Sequence, residues 1–287
     1  MDGGWSGRPG SATGAEVNAP QLRHHKRRSG KAPLVMLTAY DEPSARLADA
    51  AGVDLLLVGD SVANVVLGHA DTLHVTMAMM AHHVAAVAAA KPAAMIVADM
   101  PWLSYHGTPA EAVANAGLLI RAGAQAVKVE GGRNRLPVVQ ALVDAEIPVI
   151  GHLGLTPQSV LALGGYRVQA KTTDAAELLL ADALALEAAG ICALVLEAVP
   201  TNVGAAVTEA LNVATIGIGA GADTDGQVLV FHDILGLTGK TPAKFVRQYA
   251  DVGAVITAAI GSFAADVRGG SFPSVDETYP IVSGPSH

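Results

Sequence analysis

The chain has 287 residues, 51% hydrophobic and only 15% charged, with a formal net charge of -8 and a mean hydropathy of +0.39. So much apolar surface excludes disorder over most of the length. An acidic chain with 4% aromatic residues lacks the basic face and the stacking platforms that nucleic acid requires. Apolar runs such as 84–90 are cut by Lys91, Pro92 or Asp99 and fall short of the ~18 uninterrupted residues of a membrane span.

Residues 1–19 are Gly, Ser, Pro and Ala with almost no periodicity, and read as a disordered tail. The basic run 23–28 reads as a solvated short helix leading into the domain. No apolar signal-peptide core precedes it, and a lone thiol, Cys192, allows no intrachain disulfide. Cys192 sits in an apolar run and reads as a small buried hydrophobe. An acidic chain with one free thiol fits a reducing cytoplasm.

From residue 33, short β-rich runs alternate with Ala-rich amphipathic segments. Strands are expected at Leu34–Ala39, Asp54–Val58, Ala94–Ala98, Ala126–Val129, Pro148–Ile150, Ala193–Leu196, Ala214–Ile218 and Val228–Phe231. Helices are expected at 43–51, 77–90, 109–122, 133–145, 174–189, 201–210 and 241–268. Little room for a helix remains between the last two strands. Strict alternation means parallel pairing through right-handed crossovers. Eight units in residues 20–287 fit one α/β domain, a (β/α)8 TIM barrel with a long C-terminal helix. A doubly wound open sheet is the rival. It fits less well, because the first strand runs into Thr38-Ala39-Tyr40-Asp41 with no glycine-rich turn.

A barrel carries its chemistry at the carboxyl ends of the strands. Those ends here are Gly59-Asp60-Ser61, Asp99-Met100-Pro101, Lys128 with Glu130-Gly131-Gly132, His152, Glu197 and the glycine run 217–221. Residues i and i+2 of a strand share a face. Parity therefore pairs Lys128 with Glu130, Val58 with Asp60, Val97 with Asp99, Ile150 with His152, and Val195 with Glu197. Asp60, Asp99 and Glu130 are hard oxygen donors from neighbouring strands, a set suited to Mg2+, with Mn2+ or Co2+ as substitutes. A cation beside Lys128 would acidify the carbon next to the keto group of a chelated 2-oxo acid. Glu197 and His152 are the candidate bases. The glycine run could cradle an anion, as in phosphate-binding barrels, or bring backbone close to substrate.

These residues together resemble a known family. Thr38-Ala39-Tyr40-Asp41, Val58-Gly59-Asp60-Ser61, Ala98-Asp99-Met100-Pro101, Lys128-Val129-Glu130-Gly131-Gly132, Gly151-His152-Leu153-Gly154-Leu155-Thr156-Pro157-Gln158-Ser159, Leu196-Glu197 and Ile216-Gly217-Ile218-Gly219-Ala220-Gly221, in that order, resemble the ketopantoate hydroxymethyltransferase family. The resemblance runs from about residue 20 to Phe272-Pro273. It implies a barrel of the phosphoenolpyruvate/pyruvate type. The implied reaction carries a one-carbon unit from 5,10-methylenetetrahydrofolate to 3-methyl-2-oxobutanoate, giving 2-dehydropantoate for pantothenate biosynthesis. By position, Asp60 and Asp99 match Mg2+ ligands, and Glu130 a third acidic group acting directly or through water. Asp60, Ser61, Asp99 and Lys128 match residues that hold the 2-oxo acid. Glu197 matches the proton acceptor and His152 an auxiliary hydrogen-bonding residue. A homo-oligomer, a decamer of two pentamers, is implied as well. The pattern departs at His74, at Trp102 and at Ala170-Lys171. A Mg2+-dependent C–C lyase or aldolase acting on 2-oxo acids without folate is the alternative enzyme.

Overall fold

The computed structural model describes residues 17–239 and 241–279, which fall into two compact units. The first ends at Phe231 and regains residues 243–246; the second holds the described residues of 232–242 and from 247 onward. Most of the expected tail lies outside the described residues. Its last three residues, 17–19, are ordered: the Asn18 side chain accepts the Gln21 N–H at 3.0 Å, and Val17 and Ala19 pack on buried apolar residues.

The first unit is a closed barrel of eight parallel strands in sequential order. They are β1 (Leu34–Thr38), β2 (Leu55–Val58), β3 (Met95–Asp99), β4 (Ala126–Glu130), β5 (Val149–Gly154), β6 (Ala193–Glu197), β7 (Ala214–Ile218) and β8 (Gly226–Leu229). β8 begins two residues before its expected start, because Gly226 and Gln227 pair with Leu34 and Val35. The helices are α1 (Ala19–Leu22), α2 (Glu42–Ala50), α3 (Val62–Val65), α4 (Met77–Ala89), α5 (Pro109–Ala122), α6 (Leu136–Asp144), α7 (Val160–Leu163), α8 (Thr173–Ala188) and α9 (Thr201–Ala210). Their starts follow side-chain caps. Asp41 accepts from Ser44, and Thr108 forms a capping box with Glu111 ahead of Pro109.

Strand alternation separates two cores. Met36, Leu55, Met95, Ile150, Val195 and Ile216 fill the barrel interior, while Leu56, Ile96, Val127, Leu153 and Leu194 meet the helices. Truncating one such interior leucine or isoleucine to alanine costs about 2–5 kcal/mol. Leu22 joins the interior cluster from the amino-terminal side, so α1 closes the bottom of the barrel.

In the basic run expected to be solvated, Arg23, His24, Arg27 and Arg28 are exposed, and Lys26 is the exception. Lys26 is buried and donates to Asp225 Oδ2 at 2.5 Å and to the Thr208 and Val213 carbonyls. Arg27 and Arg28 donate to the carbonyls of Ala222, Thr224, Thr208, Glu209 and Leu211. Three cations thus satisfy backbone acceptors left over at the β7–β8 connection and the end of α9.

Val35 on β1 and its register partner Gln227 on β8 are both exposed, Val35 by 50%. All-parallel sheets normally have both faces covered.

The second unit carries α10 (Phe231–Ile234), whose first residue belongs to the barrel unit, and α11 (Val252–Gly269). The expected helix 241–268 is shorter at its front. Asp251 supplies the N-cap by accepting from the Ala254 N–H at 3.1 Å, which starts the helix at Val252. α11 is long and apolar enough to cross a membrane by length and composition, yet none of its residues is buried. Val255, Ile256, Ile260, Phe263 and Val267 are exposed along it.

Candidate active site

At the carboxyl ends of the strands, Asp60, Ser61, Asp99, Lys128, Glu130, His152 and Glu197 line one cavity of about 110 Å³, with Thr38, Pro157 and Ile218. Every predicted site residue is therefore brought together. Register explains the adjacencies. Asp99 is the cross-strand partner of Lys128, Glu130 of His152, and Gly154 of Glu197.

Parity holds for four of the five pairs. Val97, Ile150 and Val195 lie in the barrel interior below Asp99, His152 and Glu197, and Val127 and Val129 face the helices on either side of Lys128. Val58 breaks the rule, because it packs in the outer core. β2 ends at Val58, and the turn Gly59-Asp60 re-aims the chain. A Cβ at Gly59 would stand 2.7 Å from Ser61 Oγ, so any other residue there would displace the serine hydroxyl. The Asp60 N–H then donates to Asp99 Oδ2 at 3.0 Å.

The glycine run does not approach this cavity. Gly219 abuts Phe245 and Gly221 abuts Thr201, and both line a separate surface hollow. Only Ile218 of the run borders the site. The glycines serve the tight helix-free passage from β7 to β8.

The electrostatics are those of a crowded acidic cluster. Lys128 Nζ lies 3.1 Å from Asp99 Oδ1, 3.0 Å from His152 Nδ1 and 4.0 Å from Glu130 Oε1. Burial opposes its charge, but Asp99, Glu130 and Asp60 outweigh burial and raise its pKa. Asp60 is pushed well above the ordinary carboxylate value by burial, then by Asp99 and Glu130. Burial would also raise Glu130, yet the hydrogen bond and charge of His152, with Lys128, hold it below its usual value. His152 is raised: burial and Lys128 disfavour its cation, and Glu130 at 3.3 Å and Glu197 at 3.2 Å prevail.

A divalent cation fits the donor chemistry here. Four carboxylates face only two cationic side chains, Lys128 and His152. Glu130 Oε1 and Asp99 Oδ1 are buried without a hydrogen bond of good geometry. Among the described residues no three His, Cys, Asp or Glu side chains form a ready-made cage. Mg2+ does not need one, since it usually keeps several waters and takes one or two carboxylates.

Three residues without a role in the sequence reading support the site. Tyr40 is buried, and its hydroxyl pairs with Ser61 Oγ at 2.8 Å. Gln158 and Tyr105, both buried, sit behind Asp60 and Glu130. Tyr40 and Gln158 lie inside quoted motifs, which marked their importance but not their partners; nothing marked Tyr105.

Closed parallel barrel and acidic, lysine-bearing cavity together define an enzyme of the (β/α)8 class. Its fold is shared with a 2,3-dimethylmalate lyase described as a PEP mutase/isocitrate lyase superfamily member (TM-score 0.58, 20% identity, 93% of each chain covered). It is shared too with a phosphonopyruvate hydrolase solved with oxalate and Mg2+ (TM-score 0.58, 15% identity, 91% and 93% covered). Residues 16–275 match the ketopantoate hydroxymethyltransferase family model, and the chain belongs to that family of enzymes. The chain is 55% identical over 250 residues to the 3-methyl-2-oxobutanoate hydroxymethyltransferase of Koribacter versatilis, covering 87% of this chain and 85% of that one. It is 52% identical over 266 residues to the enzyme of that name from Moorella thermoacetica, covering 92% and 98%.

Proposed function

We propose that the chain transfers the one-carbon unit of 5,10-methylenetetrahydrofolate to 3-methyl-2-oxobutanoate in a Mg2+-dependent reaction, giving 2-dehydropantoate. The observation that carries this reading is the convergence of Asp60, Asp99, Glu130, Lys128, His152 and Glu197 in one cavity. The names of the relatives support the acceptor. Asp60 and Asp99 would hold the cation, with Glu130 reaching it directly or through water. The cation would supply Lewis-acid polarisation of the keto group.

The remaining chemistry belongs to side chains. Lys128 and Ser61 hold the carboxylate and keto oxygens of the 2-oxo acid. Tyr40 orients the Ser61 hydroxyl. Glu197, whose Oε2 lies 3.2 Å from His152 Nε2, takes the C3 proton. The freed electron pair moves towards the oxygen, where the Lys128 ammonium opposes the growing negative charge. Water cleaves the two carbon–nitrogen bonds of the methylene group, its hydrogens going to the folate nitrogens and its oxygen to the carbon; C3 then bonds to that carbon, and the alkoxide formed takes the proton held by Glu197.

The protein is proposed to act in the cytoplasm as a homo-oligomer, a decamer of two pentamers, with neither nucleic acid nor membrane as partner. Its buried free thiol supports the compartment. The exposed Val35 and Gln227 and the exposed apolar residues of α11 support subunit contacts.

The test is 2-dehydropantoate formation with and without Mg2+ and with and without the folate. Formation that needs both is expected. Equal formation from the oxo acid and free aldehyde without folate would replace this reading with the C–C lyase.

A further inference from the structure

Gln158 follows β5 in the turn Pro157–Ser159 and is 4% exposed. Its Nε2 donates to Asp60 Oδ2 at 2.8 Å and to the Met100 carbonyl at 2.9 Å. Its Oε1 accepts from the Tyr105 hydroxyl at 2.6 Å. Its backbone N–H donates to Glu130 Oε2 at 3.0 Å. The Tyr105 hydroxyl accepts in turn from the Glu130 N–H at 3.2 Å.

Every hydrogen of the amide is thus used, and the orientation is unambiguous. A carboxylate and a carbonyl both demand a donor, so the NH2 must face them and the oxygen must face the tyrosine. One residue links the Asp60 carboxylate of the turn after β2 to the Glu130 carboxylate at the end of β4, two buried groups that repel one another. Left to themselves, such side chains would turn apart or take up a proton.

We infer that Gln158 is a positioning residue that holds the Asp60 and Glu130 carboxylates in place for a divalent cation, and that Tyr105 locks its amide. The inference rests on the metal reading above and extends it to two residues that touch neither substrate nor the reacting carbon. Groups that hydrogen-bond to metal ligands set their orientation, and their loss typically weakens metal affinity by about 10–100-fold.

The experiment is a Mn2+ titration of the full chain, following free Mn2+ by electron paramagnetic resonance, for the parent, Gln158→Leu and Tyr105→Phe. Gln158→Leu is expected to raise the Mn2+ Kd about 10–100-fold. Tyr105→Phe removes the hydroxyl that donates to Gln158 Oε1 and accepts from the Glu130 N–H, and is expected to raise it about fivefold. Raising Mg2+ should restore the kcat of both variants, with the KM for the oxo acid at saturating Mg2+ unchanged. A merely structural role would lower the unfolding temperature and leave the Kd alone. Tyr105→Phe, the milder change, decides the matter if Gln158→Leu does not fold. A parent that binds Mn2+ beside folded variants that bind equally well overturns the inference alone. A parent that binds no Mn2+ overturns the metal reading, and the inference with it.

Discussion

His152 Nε2 lies 3.2 Å from Glu197 Oε2, while Nδ1 of the same ring lies 3.3 Å from Glu130 Oε1. One imidazole bridges the proposed base to the acidic cluster. Glu197→Gln keeps the shape and removes the basic oxygen. It should leave the KM for the oxo acid nearly unchanged and slow exchange of the C3 proton in D2O by about 10²–10⁴-fold. Exchange at the parent rate, followed by proton NMR, would assign the base elsewhere.

Asp60 pairs function with a stability cost. Its folded pKa is raised above the unfolded value by burial, Asp99 and Glu130. The sign follows: in metal-free protein this group favours folding most below its unfolded pKa of ~3.9, and opposes it as pH rises towards and through the folded value. Asp60→Asn should therefore match or exceed the parent's unfolding temperature at pH 8 without metal. It should also abolish activity and the thermal shift produced by Mg2+. A melting curve well below the parent's would show that the carboxylate is net stabilising.

Ala170 adopts φ +52°, in the left-handed region that disfavours side chains with a Cβ. Ala170→Gly relieves that cost but gives the unfolded chain more freedom, leaving a net gain of up to about 1 kcal/mol. A higher urea midpoint at unchanged slope is the expected result, and a lower one refutes the strain.

Cys192 is fully buried, and burial pushes its thiol up to about 12. Native protein at pH 8 should resist alkylation that proceeds at once in denaturant. Because the unfolded thiol ionises near ~8.5, stability should fall above that pH by up to about 1.4 kcal/mol per pH unit from this group. Rapid labelling of the native state would contradict the burial.

Lys26 and Asp225 form an ion pair 2.5 Å long with both side chains buried. Asp225 also accepts from the Arg27 N–H, the Thr215 N–H and the Thr215 hydroxyl. Lys26→Met leaves that carboxylate without its cation and should cost about 3–5 kcal/mol in urea unfolding. Adding Asp225→Asn should recover part of the loss. Simple additivity of the two substitutions would show that they do not act as a pair.

Much of the site was legible because strand parity is local. Lys128 and Glu130, Val97 and Asp99, Ile150 and His152, and Val195 and Glu197 needed only a period of two. Asp60 reaches the cavity, but the parity argument that put it there fails at Val58, since the strand stops there and the alternation stops with it. Gln158 stayed silent because its partners Asp60 and Met100 are 98 and 58 residues away. Lys26 was misread for the same cause: its carboxylate is 199 residues distant.

The sparse 15% of charged residues could be placed on strand ends from sequence alone, and with it the alternating pattern, the eight strands and the family motifs. Those are properties of neighbours along the chain. Tertiary structure decided which charges are solvated and which are buried against distant partners. Hydrogen-bond acceptors and like charges brought together by barrel closure act over a few ångströms of space, whatever their separation in sequence. The basic run thereby became a clasp on the barrel floor, and a glutamine in a turn became the brace between two carboxylates.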